Sequence, residues 1–138
     1  MNPALTLMDE VRLLMHAAAR FVEELHTDLD VSTPERAVLE FLVRNGSTTV
    51  PDIARARGVS RQHIQTIVNG LLARSLVQTA INPAHRRSSL LVLTAGGSAL
   101  IEEMLDRERL VMADRLEGIT EASMTEAADV LAAVRSRL

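Results

Sequence analysis

The sequence predicts a mainly α fold of the α+β class, made of six helices and one β-hairpin. Three patterns lead to this prediction. Apolar residues recur at helical period over most of the 138 residues. In the middle of the chain two short segments have strand character instead. At both ends the apolar residues are spaced alternately by three and four, as in a coiled-coil seam. A chain of this length makes one ordinary domain, so residues 1–138 are expected to form a single domain.

The segment from Ser60 to Arg74 is the clearest amphipathic helix. Ser60 is suited to cap it, because its hydroxyl can accept a hydrogen bond from a free backbone N–H. Its apolar face consists of Ile64, Ile67, Val68, Leu71 and Leu72. Its polar face, without acids or lysines, consists of Arg61, Gln62, His63, Gln65, Thr66 and Asn69. Such side chains can read base edges in DNA, where arginine pairs with guanine and amides pair with adenine.

A polar helix face alone is also typical of an ordinary surface helix, so the preceding segment matters. Residues Thr49 to Asp52 resemble a capping box that opens a short helix with Ile53 and Ala54 buried. Gly58 ends that helix. A short helix, a glycine turn and a second helix with a polar face are typical of a helix-turn-helix. Together the two segments favour the DNA-reading interpretation.

The residues that follow are predicted to form a β-hairpin. Leu76–Ile81 and Leu90–Leu93 have strand character, and the polar loop between them carries Arg86 and Arg87. A hairpin directly after a helix-turn-helix is a wing, and arginines at its tip can enter the minor groove. The alternative, a solvated basic loop, is weaker in this position.

We therefore predict a winged helix-turn-helix lobe over residues 33–97. Its expected DNA-binding residues are Ser60, Arg61, Gln62, His63, Gln65, Thr66, Asn69, Arg86 and Arg87. Further candidates for phosphate contacts are Arg55, Arg57 and Arg74.

The charge distribution agrees with this prediction although the net charge of the chain is −3. Residues 44–90 carry seven arginines and one acid, Asp52, whereas the segments on either side are acidic. DNA affinity depends on local neutralisation of phosphates and not on the total charge of the chain. The middle third is thus the part suited to DNA.

Long helices are predicted at both ends. The first runs from residue 3 to about 29 with Asn2 as its cap, and the second begins with Thr33 as cap and ends at Asn45-Gly46. After Thr94 a helix extends to about Leu116, and a last one starts near Thr120. Seams with spacings of three and four consist of Met8, Val11, Met15, Ala18, Val22, Leu25, Leu29 at one end and Met124, Ala127, Leu131, Val134, Leu138 at the other. Residues 1–30 and 98–138 are predicted to be dimerisation helices, with packing inside one chain as the open alternative.

Several classes of site are not expected. The absence of cysteine removes disulfides, thiolate metal sites and thiol sensors. His16 and His26 lack the spacing of zinc ligands, so neither a metal nor a cofactor is predicted. No nucleophile elbow or phosphate loop points to an enzyme. Charged residues interrupt the N-terminal apolar run and no stretch is long enough for a membrane span, which predicts a cytoplasmic protein without membrane contact.

The chain resembles the MarR family of bacterial winged-helix transcriptional regulators. The strongest part lies between Thr49 and Gly97, where the wing ends in the Leu-Thr-x-x-Gly pattern of the family at residues 93–97. The resemblance implies a homodimer that binds a pseudo-palindromic operator on double-stranded DNA, most often as a repressor. It also implies release by a small aromatic or phenolic effector, for which the sequence identifies no binding residues.

One position departs from the family pattern. The wing usually carries an acid directly before the arginine pair, whereas this chain has His85. A neutral imidazole cannot hold the arginines as a carboxylate would, so a less rigid wing is expected. The alternative function is a winged-helix protein-interaction module without specific DNA binding. An exposed apolar patch on the 60–74 helix would favour it, and the sequence contains none.

Overall fold

The computed structural model describes all residues from 1 to 138, and it confirms the mainly α fold with one hairpin. The elements are α1 (Pro3–Leu25), α2 (Thr33–Asn45), α3 (Val50–Arg57), α4 (Arg61–Ala73), β1 (Val77–Ala80), β2 (Leu90–Leu93), α5 (Ala95–Arg115) and α6 (Glu121–Arg135). The chain divides into two compact units, Met1–Leu105 and Asp106–Leu138.

The core of the first unit is aliphatic, as a chain with two phenylalanines and no other aromatic residue requires. Helix α2 packs against α4, and α4 packs against α3 and β1. Leu39, Ile53 and Leu71 are completely buried, and Ile101 and Met104 complete the core from the first part of α5. This arrangement buries one face of α4 and leaves the opposite face to solvent.

Helix α1 begins as predicted and ends earlier. The Asn2 side chain accepts a hydrogen bond from the Ala4 N–H at 2.8 Å. The helix ends at Leu25 and not near residue 29, because the chain turns there. The Leu29 N–H donates to the His26 carbonyl at 3.0 Å, and Leu29 and Val31 pack against the core. The seam spacing predicted a longer helix because Leu29 continues the spacing of three and four. Its apolar side chain instead covers the core from the turn after α1.

The cap of α2 is Ser32 and not Thr33, so the predicted cap was one residue too late. The Ser32 hydroxyl accepts from the Glu35 N–H at 3.2 Å, and the Glu35 carboxylate accepts from the Ser32 N–H at 3.0 Å. These reciprocal bonds form a capping box. The end at Asn45-Gly46 is confirmed, with Gly46 at a φ of 74°.

The hairpin has the predicted strands, and the first is one residue shorter at each end. Its antiparallel register pairs Val77 with Leu93 and Ala80 with Leu90. On the other side of β2, Thr48 forms a bridge to Leu91, with the Leu91 N–H donating to the Thr48 carbonyl at 2.7 Å. The hairpin is therefore joined by backbone hydrogen bonds to the link between α2 and α3.

The second unit contains the last part of α5 and the whole of α6. Thr120 caps α6 by accepting from the Ser123 N–H at 3.1 Å, and Gly118 adopts a φ of 91° in the turn before it. Within the predicted C-terminal seam, Leu131 and Val134 are half-buried and the remaining residues are exposed. No helix of the structure has both the length and the apolar character of a membrane span.

Candidate nucleic-acid interface

Helix α4 has the two faces that its sequence predicts. Ser60 caps it, with its hydroxyl accepting from the His63 N–H at 3.0 Å. Ile64, Val68 and Leu71 are buried in the core. The exposed residues are Arg61, Gln62, His63, Gln65, Thr66 and Asn69. The polar groups of this face are therefore accessible to a ligand.

The turn between α3 and α4 fixes the position of α4. Gly58 adopts a left-handed conformation with a φ of 68°, which a residue with a side chain rarely does. The Val59 N–H donates back to the Ala54 carbonyl at 3.0 Å, and Ala54 is itself buried. This compact turn brings the start of α4 close to α3, as in a helix-turn-helix.

An open groove with a volume of about 540 Å³ lies between α4 and the wing. Arg61, Gln62 and Gln65 line it from α4, and Arg87 lines it from the wing. The remaining lining residues are Val50, Pro51, Val68, Leu72, Thr79, Ser88, Ser89 and Leu91. Two guanidinium groups and two amides thus share one concave surface with an apolar floor.

A neighbouring groove of about 620 Å³ extends this surface towards the tip of the wing. Arg61 and Arg87 line it as well, and Arg55 and Asp52 line it from α3. Asp52 accepts a hydrogen bond from Arg55 at 2.8 Å and is the single acid of the basic middle segment. With three arginines against one carboxylate, the surface favours a polyanion.

The wing loop is shaped by two consecutive turns. The Asn82 side chain accepts from the Ala84 N–H at 3.1 Å, and the His85 N–H donates to the Asn82 carbonyl at 3.2 Å. The Ser88 N–H in turn donates to the His85 carbonyl at 3.1 Å. His85 therefore contributes main-chain hydrogen bonds to the loop, and the side-chain hydrogen bond comes from Asn82.

The other predicted residues are arranged differently. Gln65 donates to the Asn69 side chain at 2.8 Å, so these two amides orient each other. Thr66 donates to the Gln62 carbonyl at 3.0 Å within α4. His63 lines a separate depression beside α2, and Arg86 is exposed on the wing without lining either groove.

The lining residues that were not predicted as site residues include Thr79, Asn82, Ser88 and Ser89. The two serines directly follow the arginine pair, which was the available signal. Asn82 begins the loop, where asparagine commonly forms such side-chain turns. Thr79 carries no signal, because its place in the groove depends on the register of the hairpin.

Comparison with known proteins identifies the family of the chain. A model of the MarR family matches residues 29–88. The uncharacterized protein Mb2034c of Mycobacterium bovis is 33% identical over 99 residues, covering 72% of this chain and 69% of that protein. The HTH-type transcriptional repressor MdtR of Bacillus subtilis is 28% identical over 136 residues, covering 96% of this chain and 88% of MdtR. The protein belongs to the MarR family of transcriptional regulators.

Solved structures agree on the fold. The MarR family transcription regulator SP03579 is 26% identical with a TM-score of 0.82, covering 96% of this chain and 88% of that one. A cysteine-to-serine mutant of Escherichia coli MarR complexed with operator DNA has a TM-score of 0.80 at 19% identity, covering 96% of each chain. Bordetella bronchiseptica BpsR, in a structure concerned with regulation of its DNA binding by 6-hydroxynicotinic acid, has a TM-score of 0.76 at 22% identity, covering 92% and 91%. The family and the fold are those of transcription regulators.

Proposed function

We propose that this protein is a sequence-specific DNA-binding transcriptional repressor, that it acts as a homodimer in the cytoplasm, and that it is not an enzyme. One observation carries this proposal: Arg61, Gln62 and Gln65 of α4 share a single groove with Arg87 of the wing. Base-reading and phosphate-binding groups on one surface are what a winged-helix reader of DNA requires.

The two sides of the groove have different tasks in this proposal. Arg61, Gln62 and Gln65 enter the major groove, where guanidinium and amide groups distinguish guanine and adenine. Asn69 holds the Gln65 amide in a fixed orientation, which reduces the freedom that binding must remove. Arg86 and Arg87 reach the minor groove or its phosphates, and they contribute affinity more than base preference.

Relatives support the repressor role and the DNA partner. MdtR is named a repressor, and the E. coli MarR structure contains operator DNA. Exposed apolar side chains on α1, namely Leu5, Leu13, Leu14 and Met15, support a homodimer, because a helix of this kind requires a cover. Two α4 helices in a dimer would bind half-sites of a pseudo-palindromic operator about one helical turn apart.

The proposal includes release from DNA by a small aromatic or phenolic effector. Its support is the family and the regulation of BpsR by 6-hydroxynicotinic acid. Such an effector would act by binding the DNA-free arrangement of the dimer more tightly than the DNA-bound one.

The alternative, a module that binds protein instead of DNA, is less well supported. Between residues 60 and 80 no large apolar side chain is exposed, so α4 lacks the apolar anchors on which protein interfaces depend. Its exposed face offers hydrogen-bonding groups and positive charge.

The first test is binding of the purified protein to the DNA upstream of its own gene and to a scrambled control, each at two salt concentrations. Protein concentration is measured from peptide absorbance, because the chain has no tryptophan or tyrosine. Tight, sequence-selective binding that weakens with salt is the expected result. Weak and equal binding to both DNAs, repeated with genomic fragments, would contradict the proposal.

The division of tasks can be tested with two variants and a matched control. Gln65→Ala should relax base preference at one operator position, whereas Arg87→Ala should weaken binding to all sequences and flatten the salt slope by about 1. Arg137→Ala removes the same charge at the C-terminus and should change neither quantity. Equal effects of Gln65→Ala and Arg87→Ala on every sequence would refute the division.

A further inference from the structure

Three residues, Arg74, Ser75 and Leu76, connect α4 to β1, and we call them the α4–β1 joint. The Ser75 N–H donates to the Leu72 carbonyl at 3.0 Å, and the Leu76 N–H donates to the Leu71 carbonyl at 3.0 Å. With Ser75 in a left-handed conformation, at a φ of 57°, this is a Schellman motif. The orientation of α4 relative to the wing is set here.

The start of α5 holds one side of the joint. The Thr94 hydroxyl donates to the Ser75 carbonyl at 2.7 Å, and the Thr94 N–H donates to the Leu76 carbonyl at 3.1 Å. Gly97 approaches so closely that a Cβ atom there would lie 1.9 Å from the Leu76 carbonyl oxygen. This side of the joint is therefore fixed by backbone contacts.

Glu35, near the start of α2, contacts the joint through Arg74. One oxygen of its carboxylate accepts from the Ser32 N–H in the capping box, and the other lies 3.5 Å from the Arg74 guanidinium. That second oxygen also lies 3.5 Å from the point where Gly70 would carry a Cβ, directly beside the last turn of α4. The Glu35 side chain is 18% exposed, so this ion pair is partly shielded from water.

We propose that Glu35 is a positioning residue, which fixes the C-terminal end of α4 against the start of α2 through Arg74 and thereby sets operator affinity without touching DNA. This inference rests on the proposed function. It also gives Arg74 a different task from the phosphate contact that its place in the basic segment predicted. One oxygen of the Glu35 carboxylate is hydrogen-bonded in the cap of α2, and the other forms an ion pair with Arg74 at the end of α4.

The direction in which one substitution changes operator affinity distinguishes this proposal from a purely electrostatic effect of the Glu35 charge. Removing a negative charge close to a DNA-binding surface should strengthen binding, because phosphates are repelled less. If Glu35 orients α4, the same substitution should weaken binding, because α4 loses one of its fixed points. Glu35→Gln is the suitable change, since a glutamine can keep the capping box while it loses the ion pair.

The experiment measures operator affinity for the full-length protein and for Glu35→Gln, Arg74→Gln and the double variant. Glu35→Gln should bind about threefold to tenfold more weakly, with an unchanged melting temperature. The double variant should bind no more weakly than the weaker single variant, because both changes break the same pair. Glu40→Gln is the matched control: it removes the same charge on the same helix, but its ion pairs lie within α2, so operator affinity should stay equal or rise.

Three results would overturn the proposal. The first is equal or tighter operator binding by Glu35→Gln, and the second is additive losses in the double variant. The third is a fall of about 0.9 in the salt slope of Arg74→Gln, which would make Arg74 a phosphate contact. If the wild-type protein binds no operator at all, the proposed function fails, which is a different result from the failure of Glu35 as a positioning residue.

Discussion

Ser75 is the single non-glycine residue of the chain with a positive φ. A side chain in this left-handed conformation costs about 1 kcal/mol relative to glycine, because its Cβ crowds the following carbonyl. The Schellman motif nevertheless forms, since the chain must turn from α4 into β1, which begins at Val77. The joint is thus one place where the backbone accepts a cost in order to fix the angle between α4 and the wing.

Ser75→Gly should raise the free energy of unfolding by about 0.5–1 kcal/mol, because glycine relieves the crowding at this φ. Ser75→Val should lower it by a similar amount, since a β-branched side chain fits this conformation poorly. Urea unfolding followed by circular dichroism at 222 nm measures both changes. A glycine variant that is less stable than wild type would contradict the prediction.

Single residues also show how much the sequence alone could predict. The caps Asn2 and Ser60 were predicted correctly, because the amide or hydroxyl of each stands directly before a helical apolar period. The cap of α2 was misplaced, although Ser32 stands three residues before Glu35 in the spacing of a capping box. Thr33 is an equally good cap by residue type, and only the reciprocal bond from Glu35 distinguishes the two.

At the scale of one element, α2 contains a network in which Glu40 pairs with Arg36 at 2.7 Å and with Arg44 at 2.9 Å. Burial raises the pKa of the Glu40 carboxyl, but the two guanidinium groups outweigh this effect and hold its pKa below the ordinary value of 4.5. The charged carboxylate is therefore stabilised in the folded protein.

A lowered pKa makes stability depend on pH in a definite direction. The contribution of Glu40 is fully present above about pH 4.5 and is lost as the pH falls through the lower pKa of the folded protein. Glu40→Gln should therefore lower the melting temperature at pH 7, and this difference from wild type should shrink towards pH 3. Melting curves of both proteins at intervals of pH measure it. A constant difference over this range would refute the assignment.

Elements were predicted better in their centres than at their ends. The apolar period located the longer helices, and the capping pattern at Thr49 together with Gly58 located α3. The apolar period could not find the end of α1, where Leu29 covers the core from a turn. Leu39 of α2 is fully buried beside Val38 and Leu42, so the core covers a wider arc of that helix than one narrow apolar stripe.

At the scale of the whole molecule, apolar surface remains exposed in each of the two units. In the first, α1 has no buried residue, and Met15 is 67% exposed. In the second, Leu110 is 75% exposed, together with Met112, Met124 and Val130. A single chain leaves these side chains to water, which is the reason to expect a second copy.

Met15→Glu should convert the proposed dimer into a monomer, because a carboxylate within an apolar interface is left without a partner. Size-exclusion chromatography with light scattering and refractive-index detection measures the mass. Met15→Leu, which keeps an apolar side chain of similar size at the same position, should leave the mass unchanged. A wild-type protein of monomer mass would remove the dimer from the proposed function.

The candidate interface could be predicted from the sequence only in part, because its assembly depends on the tertiary structure. The polar face of α4 follows from helical periodicity, so its residue types could be named from sequence. Which of them meet the wing depends on the turn at Gly58, the register of the hairpin and the joint at Ser75. None of these leaves a local periodic signal. The meeting of Arg61 and Gln65 with Arg87 could therefore come only from the structure, whereas the helical period of about 100° per residue already separates His63 from the two α4 residues.

The bridge between Thr48 and Leu91 provides a path by which a load on the wing can reach the helix-turn-helix. Because β2 is bonded to β1 on one side and to Thr48 on the other, a force on the tip is carried by backbone hydrogen bonds to the residue before the cap of α3. A contact of Arg87 with DNA would therefore be transmitted through these backbone hydrogen bonds to the start of the helix-turn-helix.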